Sequence, residues 1–453
     1  MEKDERHYKD NTLCKSFFPA SKEVFSLISS FSPKISRRLF LRTATKILLS
    51  LGLLPHLPGW LRRAEASDLQ FLRQLIAQDN EHTRTIGWQS LEPMKNAVIE
   101  CRSADMVSWV HAFPANSLPF SDGGASCYLH FTRISGLAPG SDYLYRIVDE
   151  AGSFTSDWQP LRTDDGGAFQ AIIFPDSQCA GDYTAWRSIA QGAATRHPGA
   201  KFFINMGDLV DNGEAAWQWQ QWFDALTGIQ ERLPLAPVMG NHGTYDLNWK
   251  CRIPAAWLSY FPVPENHVAH WSRYWYSFDF GPCHFLVLNN LMGELDPVKP
   301  GMLDAELPWL RHDAALTSKP WKIVLMHKDI INYEWPDASD PITGDIDPVG
   351  RIFMPVFDEL GIDAVLTAHQ HTYRRLGHIF RFRPADHGPF YIDTGNAGNC
   401  YYDVPKNERF DQFLLPQPER GNYMTLDADA SKLVFRCYLP DGTWMDTAEL
   451  TKK

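Results

Sequence analysis

The spacing of apolar residues along the chain divides it into two regions with different predicted elements. Between residues 81 and 163, short apolar runs are separated by Pro, Gly, Asn and Asp, which predicts β-strands joined by turns. Just before this region, four apolar residues recur at helical spacing: Leu69, Leu72, Leu75 and Ile76. This spacing predicts a short docking helix over residues 67–80, so the first region is expected to be all-β after one helix.

From residue 168 onward, apolar strands alternate with helical segments, which is typical of an α/β layered fold. The predicted strands are "FQAIIFP", "AKFFINMG", "LPLAPVMG", "YWYSFDFG", "CHFLVLN", "WKIVLMH", "IDAVLTAH" and "PFYIDTG". The fourth and fifth meet at "FGPC", which predicts a hairpin, and residues 422–444 predict another hairpin that closes the sheet. The second region is therefore expected to be a layered α/β unit.

The N-terminal segment has the features of an export signal. "SRRLFLR" (residues 36–42) is followed by an interrupted apolar stretch and then by "AEA" at residues 64–66, an order that indicates a secretory signal. The pair Arg37 and Arg38 resembles the twin-arginine class of signals. Residues 1–66 are therefore predicted to be a cleaved twin-arginine signal peptide. An amphipathic internal helix and a retained membrane anchor are the alternatives.

Charge and cysteine content narrow the function further. Residues 1–66 hold 12 Lys and Arg against 6 Asp and Glu, so their removal shifts the formal net charge from −11 to about −17. Long nucleic acids need basic grooves and are not expected as partners of such an acidic chain. The 8 cysteines include no CxxC pair, which gives no zinc-type spacing. Cys14 lies in the predicted signal, and the others allow one or two disulfides in an exported protein.

Polar residues of similar type follow five of the predicted strands. They are Asp176 in "FPDSQ", Asp208 in "NMGDLVDNG", Asn241 and His242 in "VMGNHG", His327 in "VLMHK", and His369 and His371 in "LTAHQH". Ligands of layered α/β folds bind where the C-terminal ends of strands open into loops, and carboxylate, amide and imidazole groups gathered there are metal ligands. Each residue alone has an ordinary alternative, such as a helix cap or a satisfied core histidine. The ordered series predicts a metal site.

The order of these blocks, D-x-x, GD-x-x-x, GNH, MH and x-H-x-H, resembles the calcineurin-like metallophosphoesterases. "GLAPGSDYLYRIV" (residues 136–148) is similar to a fibronectin type III strand pair, and with "AELPWL" and "HQHTYRR" it resembles the purple acid phosphatase branch. The resemblance implies a fibronectin type III-like domain over residues 81–165. It implies a metallophosphoesterase domain over residues 168–450, in which a β-sandwich is flanked by helices.

The resemblance also implies a role for each polar residue. One metal ion would be held by Asp176, Asp208 and His371, and the other by Asp208, Asn241, His327 and His369, with Asp208 bridging. His242 would bind no metal and would contact the phosphoryl group, as a hydrogen-bond donor or as the acid that protonates the leaving oxygen. The implied cofactors are two metal ions (iron, manganese, zinc or a mixture), whose bound hydroxide attacks the ester.

Two positions depart from the family pattern. Where purple acid phosphatases have GDxxY, with the tyrosine as an iron(III) ligand and the source of the colour, this chain has Asp211, so the protein is not expected to be purple. Asp211 remains a candidate for a further ligand, for an acceptor behind the ligands or for a helix cap. Many members have DxH in the first block, and this chain has Gln178, which offers only a carbonyl oxygen. The metal held by His371 is therefore expected to have the poorer set of ligands.

The run "AAWQWQQWF" contains Trp217, Trp219 and Trp222. Trp219 and Trp222 share one helical face with Phe223, which favours core packing, with a stacking wall for the substrate as the alternative. Residues 249–266, after the GNH block, are predicted to form a loop at the rim of the pocket.

These features together predict an exported, binuclear metal-dependent phosphatase that hydrolyses phosphate monoesters. The same residues would serve a phosphodiesterase acting on a nucleotide or lipid headgroup, and Gln178 and Asp211 would fit a surface-binding protein with a degenerate metal site. The expected partners are a small phosphate ester and the twin-arginine export machinery, with no long nucleic acid and no stable membrane span after signal removal. The expected location is the periplasm or the exterior.

Overall fold

The first region is all-β in the structure, a computed structural model that describes residues 69–106, 110–149, 154–402, 404–416 and 420–452. Its strands are β1 (Leu69–Leu75), β2 (Arg84–Ser90), β3 (Val98–Ser103), β4 (His111–Pro114), β5 (Asn116–Asp122), β6 (Ala125–Ile134), β7 (Asp142–Val148) and β8 (Gln159–Arg162). The predicted signal peptide lies outside the described residues.

The second region alternates strands and helices, as its pattern predicts. Its strands are β9 (Phe169–Phe174), β10 (Phe202–Asn205), β11 (Leu235–Pro237), β12 (Tyr276–Phe280), β13 (Cys283–Val287), β14 (Trp321–Leu325), β15 (Ala364–Thr367), β16 (Arg374–Phe380), β17 (Arg383–Pro384), β18 (Phe390–Asp393), β19 (Phe413–Leu414), β20 (Tyr423–Ala428), β21 (Lys432–Tyr438) and β22 (Trp444–Thr451). Its helices are α1 (Thr184–Arg196), α2 (Ala216–Ala225), α3 (Ala255–Tyr260), α4 (Met292–Leu295), α5 (Met302–Leu316) and α6 (Pro348–Leu360), with a 3₁₀ turn at Asn241–Thr244.

Local signals set several of these boundaries. At the start of α6, the side chain of Asp347 accepts a hydrogen bond from the backbone N–H of Val349, and Pro348 occupies the first turn. The helix ends at Gly361, whose φ of 60° is a left-handed conformation that glycine adopts without strain. The predicted hairpin at "FGPC" is confirmed, because β12 and β13 pair antiparallel.

Three sheets organise the strands. The largest has the order β22-β21-β20-β9-β10-β11-β1-β2-β6-β5, the second has β12-β13-β14-β15-β18-β16-β17 with β19 beside β16, and the smallest has β4-β3-β7-β8. Strands β9, β10 and β11 are parallel, as are β13, β14, β15 and β18. Parallel strands buried on both faces are apolar throughout, which explains the continuous apolar runs of this region.

The two larger sheets pack against each other through aromatic rings. Phe169 and Phe202, from β9 and β10, lie in one buried cluster with Phe280 and Phe285 from β12 and β13. The ring centroids of Phe202 and Phe280 are 4.5 Å apart, and those of Phe169 and Phe280 are 5.2 Å apart. Aromatic pairs at such distances add to the burial of apolar surface, so this core fixes the two sheets on each other.

The helix predicted over residues 67–80 is wrong, because Leu69–Leu75 is strand β1. This strand pairs antiparallel with β2 and parallel with β11, and its register shifts between Gln70 and Arg73. Phe71, inside the shift, has a φ of 54°. The irregularity breaks the two-residue alternation of a strand, so that apolar residues recur at a spacing that imitates a helix.

The boundary predicted at residues 165–168 stays a prediction, as does the fibronectin type III-like character of the first region. Through β1, the largest sheet joins strands from both sides of that boundary. No disulfide joins any of the cysteines in the described residues. Within the same residues, no helix has both the length and the apolar character needed to cross a bilayer.

Candidate metal centre

Two sets of parallel strands bring the predicted site residues to one edge of the fold. Asp176 follows β9, Asp208 follows β10, Asn241 and His242 follow β11, His327 follows β14, and His369 and His371 follow β15. The first three of these strands belong to the largest sheet and the other two to the second sheet. The C-terminal ends of the five strands therefore meet in one polar cluster, whose contacts form two halves.

His327 is the centre of the first half. Its Nε2 lies 2.9 Å from Asn241 Oδ1 and 3.1 Å from Asp208 Oδ2, and its Nδ1 lies 3.0 Å from the carbonyl oxygen of Met206. Because that carbonyl accepts the Nδ1 proton, Nε2 is left as the atom that can bind a metal. One ligand atom from each of Asp208, His327 and His369 lies within 4.8 Å of the others. This half can hold a transition-metal ion.

Asp176, Gln178 and His371 form the second half. Asp176 Oδ1 lies 3.7 Å from His371 Nε2, and Asp176 Oδ2 accepts a hydrogen bond from the backbone N–H of His369 at 2.9 Å. Gln178 Nε2 lies 3.1 Å from His371 Nε2 and 3.5 Å from Asp208 Oδ2. The amide of Gln178 therefore faces the nitrogen of His371 that is expected to bind a metal.

Two buried oxygen atoms of the second half have no hydrogen-bond donor among the described residues. They are Asp176 Oδ1 and Gln178 Oε1, and both side chains are buried. A buried acceptor without a donor costs about 1–3 kcal/mol, more for a charged group, and a cation removes that cost. Among carboxylate, amide and imidazole groups, these two oxygens fit a cation in the second half, and Asp208, His327 and His369 fit one in the first half.

The backbone is shaped to aim these side chains. Asp208, His369 and His371 have φ values of 40°, 74° and 56°, in a left-handed region that residues other than glycine seldom occupy. Such conformations cluster at functional sites because the surrounding structure maintains them. Gly207 also allows the His327 ring to lie close to the backbone before Asp208, since a Cβ at this position would lie 2.3 Å from His327 Nδ1. The left-handed residues end the alternation of β15 and turn His369 and His371 towards different halves.

Burial and neighbouring charges shift the pKa values of these groups in opposite directions. Burial acts to raise the pKa of Asp208, but His327 and His242 hold it well below its usual range. Burial raises the pKa of Asp176 to about 7, although His327 opposes the shift. Burial acts to lower the pKa of His327, but Asp208 and Asp176 raise it to about 9. A bound cation would take the place of the His327 proton as the partner of both carboxylates.

His242 lies at the edge of the cluster and is oriented by Asp211. Its backbone N–H donates to Asp208 Oδ1 at 2.9 Å, and its side-chain Nδ1 donates to the Asp211 carbonyl oxygen at 2.6 Å. Its Nε2 is 3.9 Å from Asp208 Oδ2. Asp211 Oδ1 is 3.6 Å from His242 Nδ1. The helix cap considered for Asp211 is wrong, because Ala215 occupies the N-cap position of α2.

Other groups around the cluster gave no signal in the sequence. The carbonyl oxygen of Cys400 accepts a hydrogen bond from His371 Nδ1 at 2.7 Å, and the ring of Tyr402 stacks on His371 with centroids 4.1 Å apart and an interplanar angle of 15°. Cys400 and Tyr402 lie in a loop about 30 residues after His371, and no sequence motif marks this loop. Tyr245 and Trp249 have ring contacts with His242, and only Trp249 lies in the predicted rim loop.

The tryptophans of α2 are part of the core. Trp219 and Trp222 are buried, and Trp222 Nε1 donates to the hydroxyl of Ser177 at 2.9 Å, beside Asp176. The core packing predicted for them is confirmed. Trp217 is 47% exposed. The substrate wall considered for this run is wrong for Trp219 and Trp222, which instead support the first turn of the site from inside.

Comparison with known proteins identifies relatives. Residues 154–373 match the family model described as calcineurin-like phosphoesterase. The chain is 21% identical to purple acid phosphatase 15 of Arabidopsis thaliana over 300 residues, which cover 60% of this chain and 54% of that protein. It is 24% identical to acid phosphatase type 7 of Mus musculus over 357 residues, which cover 70% of this chain and 75% of that protein. The chain thus spans about half the length of the Arabidopsis relative.

A solved structure shows the same fold. Purple acid phosphatase PPD1 from yellow lupin (Lupinus luteus) seeds superposes with a TM-score of 0.71 at 18% identity, covering 84% of this chain and 74% of that chain. At this identity the likeness shows the fold alone. The family match thus identifies a calcineurin-like phosphoesterase domain in residues 154–373, and purple acid phosphatases are among the relatives of the chain.

Proposed function

We propose that this chain hydrolyses phosphate monoesters at a centre of two metal ions and acts after export from the cytoplasm. One observation carries the proposal of a metal-dependent hydrolase. Donor side chains from five strand ends meet at one cluster, in which the buried oxygens Asp176 Oδ1 and Gln178 Oε1 have no donor among the described residues. The relatives named as acid phosphatases support phosphate esters as the substrate class.

The bound metal ions would polarise the phosphoryl group and activate a water molecule. Asp208, whose Oδ2 lies 3.1 Å from His327 Nε2 and 3.5 Å from Gln178 Nε2, would hold both ions. His327 and His369 would complete one side, and Asp176 and His371 the other. In the reaction, water gives up one proton as its oxygen forms a bond to phosphorus, the ester P–O bond breaks, and the leaving oxygen takes up one proton.

His242 is suited to supply that proton. The Asp211 carbonyl accepts the Nδ1 proton of His242, so Nε2 faces the cluster near Asp208. Burial acts to lower the pKa of His242, but Asp208 and Asp211 raise it. In this proposal Asp211 acts through His242, as a positioning residue, and binds no metal itself.

Metal removal and restoration test the proposal. The protein is treated with a chelator, assayed with p-nitrophenyl phosphate and assayed again after Fe, Mn or Zn is returned. We expect activity to vanish with the metal and to return with one of the ions, and elemental analysis to find two metals per active chain. As a matched pair, His369→Ala should remove activity, whereas His387→Ala, on the surface, should retain it.

The same assay separates the alternatives. Faster hydrolysis of bis-p-nitrophenyl phosphate than of the monoester would replace the monoesterase by a phosphodiesterase. Two bound metals with no hydrolysis of either ester would favour a binding protein with a degenerate site. Full activity in metal-free protein would reject the metal-dependent mechanism.

The proposal of export rests on the order of Arg37, Arg38, the apolar stretch and "AEA" in residues 1–66. A variant with Arg37→Lys and Arg38→Lys together should accumulate in the cytoplasm, because the twin-arginine route requires both arginines. The measurement is cell fractionation with N-terminal sequencing of the exported form, which is expected to begin at Ser67. Equal export of the variant would contradict this part of the proposal.

A further inference from the structure

Two aromatic rings, those of Tyr245 and Trp249, lie beside His242. The ring centroid of Tyr245 is 6.1 Å from that of His242, and the ring centroid of Trp249 is 5.8 Å from it, with interplanar angles of 83° and 87°. The two aromatic rings are 5.9 Å from each other. Both residues are half-buried, and the neighbouring Leu247 is 57% exposed. The Tyr245–Trp249 pair therefore lies at the surface beside the group expected to contact the phosphoryl oxygen.

The loop that carries the pair is held in place by its own contacts. Tyr245 and Cys251 form an antiparallel bridge, and the Tyr245 hydroxyl donates to Glu294 Oε1 at 3.3 Å. Glu294 Oε1 also accepts a hydrogen bond from Lys328 Nζ at 2.7 Å. Asp246 Oδ1 accepts backbone hydrogen bonds from two residues further along the loop, at 2.8 and 2.9 Å. A surface ordered before a ligand arrives loses little conformational entropy on binding.

Trp249 occupies a backbone conformation that does not suit it. Its φ is 61°, a left-handed value that is an outlier for a bulky side chain, and its backbone N–H donates to the Asp246 carbonyl oxygen at 2.9 Å. Glycine or asparagine would adopt this turn with less strain. Full burial in the core does not explain a tryptophan here, because the residue is half-buried and its ring contacts His242 and Tyr245.

We propose that the Tyr245–Trp249 pair is a stacking surface for the leaving group, and that the preferred substrates are phosphate monoesters whose leaving group carries a planar aromatic ring. The proposal rests on the proposed phosphatase function. The metal centre and His242 would hold the phosphoryl group, and the ring attached through the ester oxygen would contact the indole of Trp249. Stacking on an aromatic side chain tolerates any planar ring, so a phenyl ester and a nucleoside ester share this chemistry.

Equilibrium binding tests the stacking surface without turnover. Phenylphosphonate and methylphosphonate are titrated by calorimetry into the full chain loaded with metal. We expect the phenyl compound to bind about three- to tenfold more tightly to the unsubstituted protein. Trp249→Gly, which suits a φ of 61°, should abolish that preference, and Trp249→Asn should do the same with a Cβ retained. Trp249→Phe should keep part of it.

A matched control is Trp444→Ala, because Trp444 is 62% exposed on β22, an edge strand of the largest sheet. This variant should keep the full preference for the phenyl compound. Equal binding of the two phosphonates to the unsubstituted protein would overturn the proposal. So would a preference that survives in both Trp249→Gly and Trp249→Asn.

Turnover measurements show whether the preferred leaving group is a phenyl ring or a nucleobase. They also test this proposal separately from the proposed phosphatase function. The ratio of kcat/KM is measured for phenyl phosphate and for adenosine 5′-monophosphate, each against glycerol 3-phosphate. We expect Trp249→Gly to lower at least one ratio about three- to tenfold, and the ratio that falls identifies the ring. No hydrolysis of any ester by the unsubstituted protein would reject the phosphatase function, and the phosphonate titration would still decide the stacking surface.

Discussion

The two halves of the candidate metal centre are built from the same kinds of residue but differ in how completely they are arranged. In the half around His327, Nε2 of that histidine lies 2.9 Å from Asn241 Oδ1 and 3.1 Å from Asp208 Oδ2. In the half around His371, the nearest carboxylate oxygen is 3.7 Å away, and the amide nitrogen of Gln178 lies closer, at 3.1 Å. The second half thus has a hydrogen-bond donor where a metal-binding atom is expected.

The two halves therefore share the backbone framework of the strand ends, while the identity of the ligand side chains differs between them. Both halves have the left-handed residues at the strand ends, and both have a backbone carbonyl that fixes the tautomer of a histidine, Met206 for His327 and Cys400 for His371. In the second half, the side chain at position 178 departs from the family pattern, and Asp211 stands where the family has its tyrosine ligand. We therefore expect both halves to bind metal, the second one more weakly.

The largest effect is expected from Asp208→Asn, which removes the carboxylate shared by both halves. The amide is isosteric, but it lacks the charge that balances two cations, and its nitrogen cannot bind a metal. Hydrolysis of p-nitrophenyl phosphate should fall by roughly a thousandfold or more, and elemental analysis should find both ions reduced. If only one ion is lost, Asp208 does not bridge the two ions and belongs to one half only.

Removing one histidine from each half should separate the ions. Graded chelation of the unsubstituted protein is expected to release metal in two phases, the weaker one from the half around His371. In His371→Ala the weaker phase should disappear, and in His369→Ala the tighter phase should, because each histidine faces a different half. The measurement is metal per chain against free chelator concentration. Loss of the same phase in both variants would show that the two histidines share one ion.

The range of the contacts decides which parts of the fold and of the site could be predicted from the sequence. Asp176, Asp208 and His327 directly follow apolar runs, so their place at strand ends depends on local pattern and could be predicted. The parallel pairing of β1 with β11 and the stacking of Tyr402 on His371 depend on contacts between distant residues, and no local pattern encodes them. The false helix at residues 67–80 has the same cause, because sheet pairing overrides the spacing of four apolar residues.

An imidazole at position 178 should reduce the difference in metal affinity between the two halves. Gln178→His gives the first block the form D-x-H, and a second imidazole in this half should tighten the weaker phase by about 10- to 100-fold, the range typical of changes at groups that support a metal. Gln178→Leu, similar in size but without polar atoms, should loosen it instead. The same chelator titration measures both. If the two variants bind metal equally, then position 178 does not set the difference between the halves.

The smallest effect is expected at Tyr402, which touches the weaker half only through the face of His371. Tyr402→Leu removes a ring stacked at 4.1 Å, but the Cys400 carbonyl still holds the imidazole through Nδ1, so the weaker phase should loosen only about two- to tenfold. The tighter phase should not move. Tyr402→Phe keeps the ring and should keep most of the affinity. If Tyr402→Phe instead loses as much as Tyr402→Leu, the hydroxyl supports the second metal and the stacking does not, and this half has a tyrosine contact supplied by a different loop.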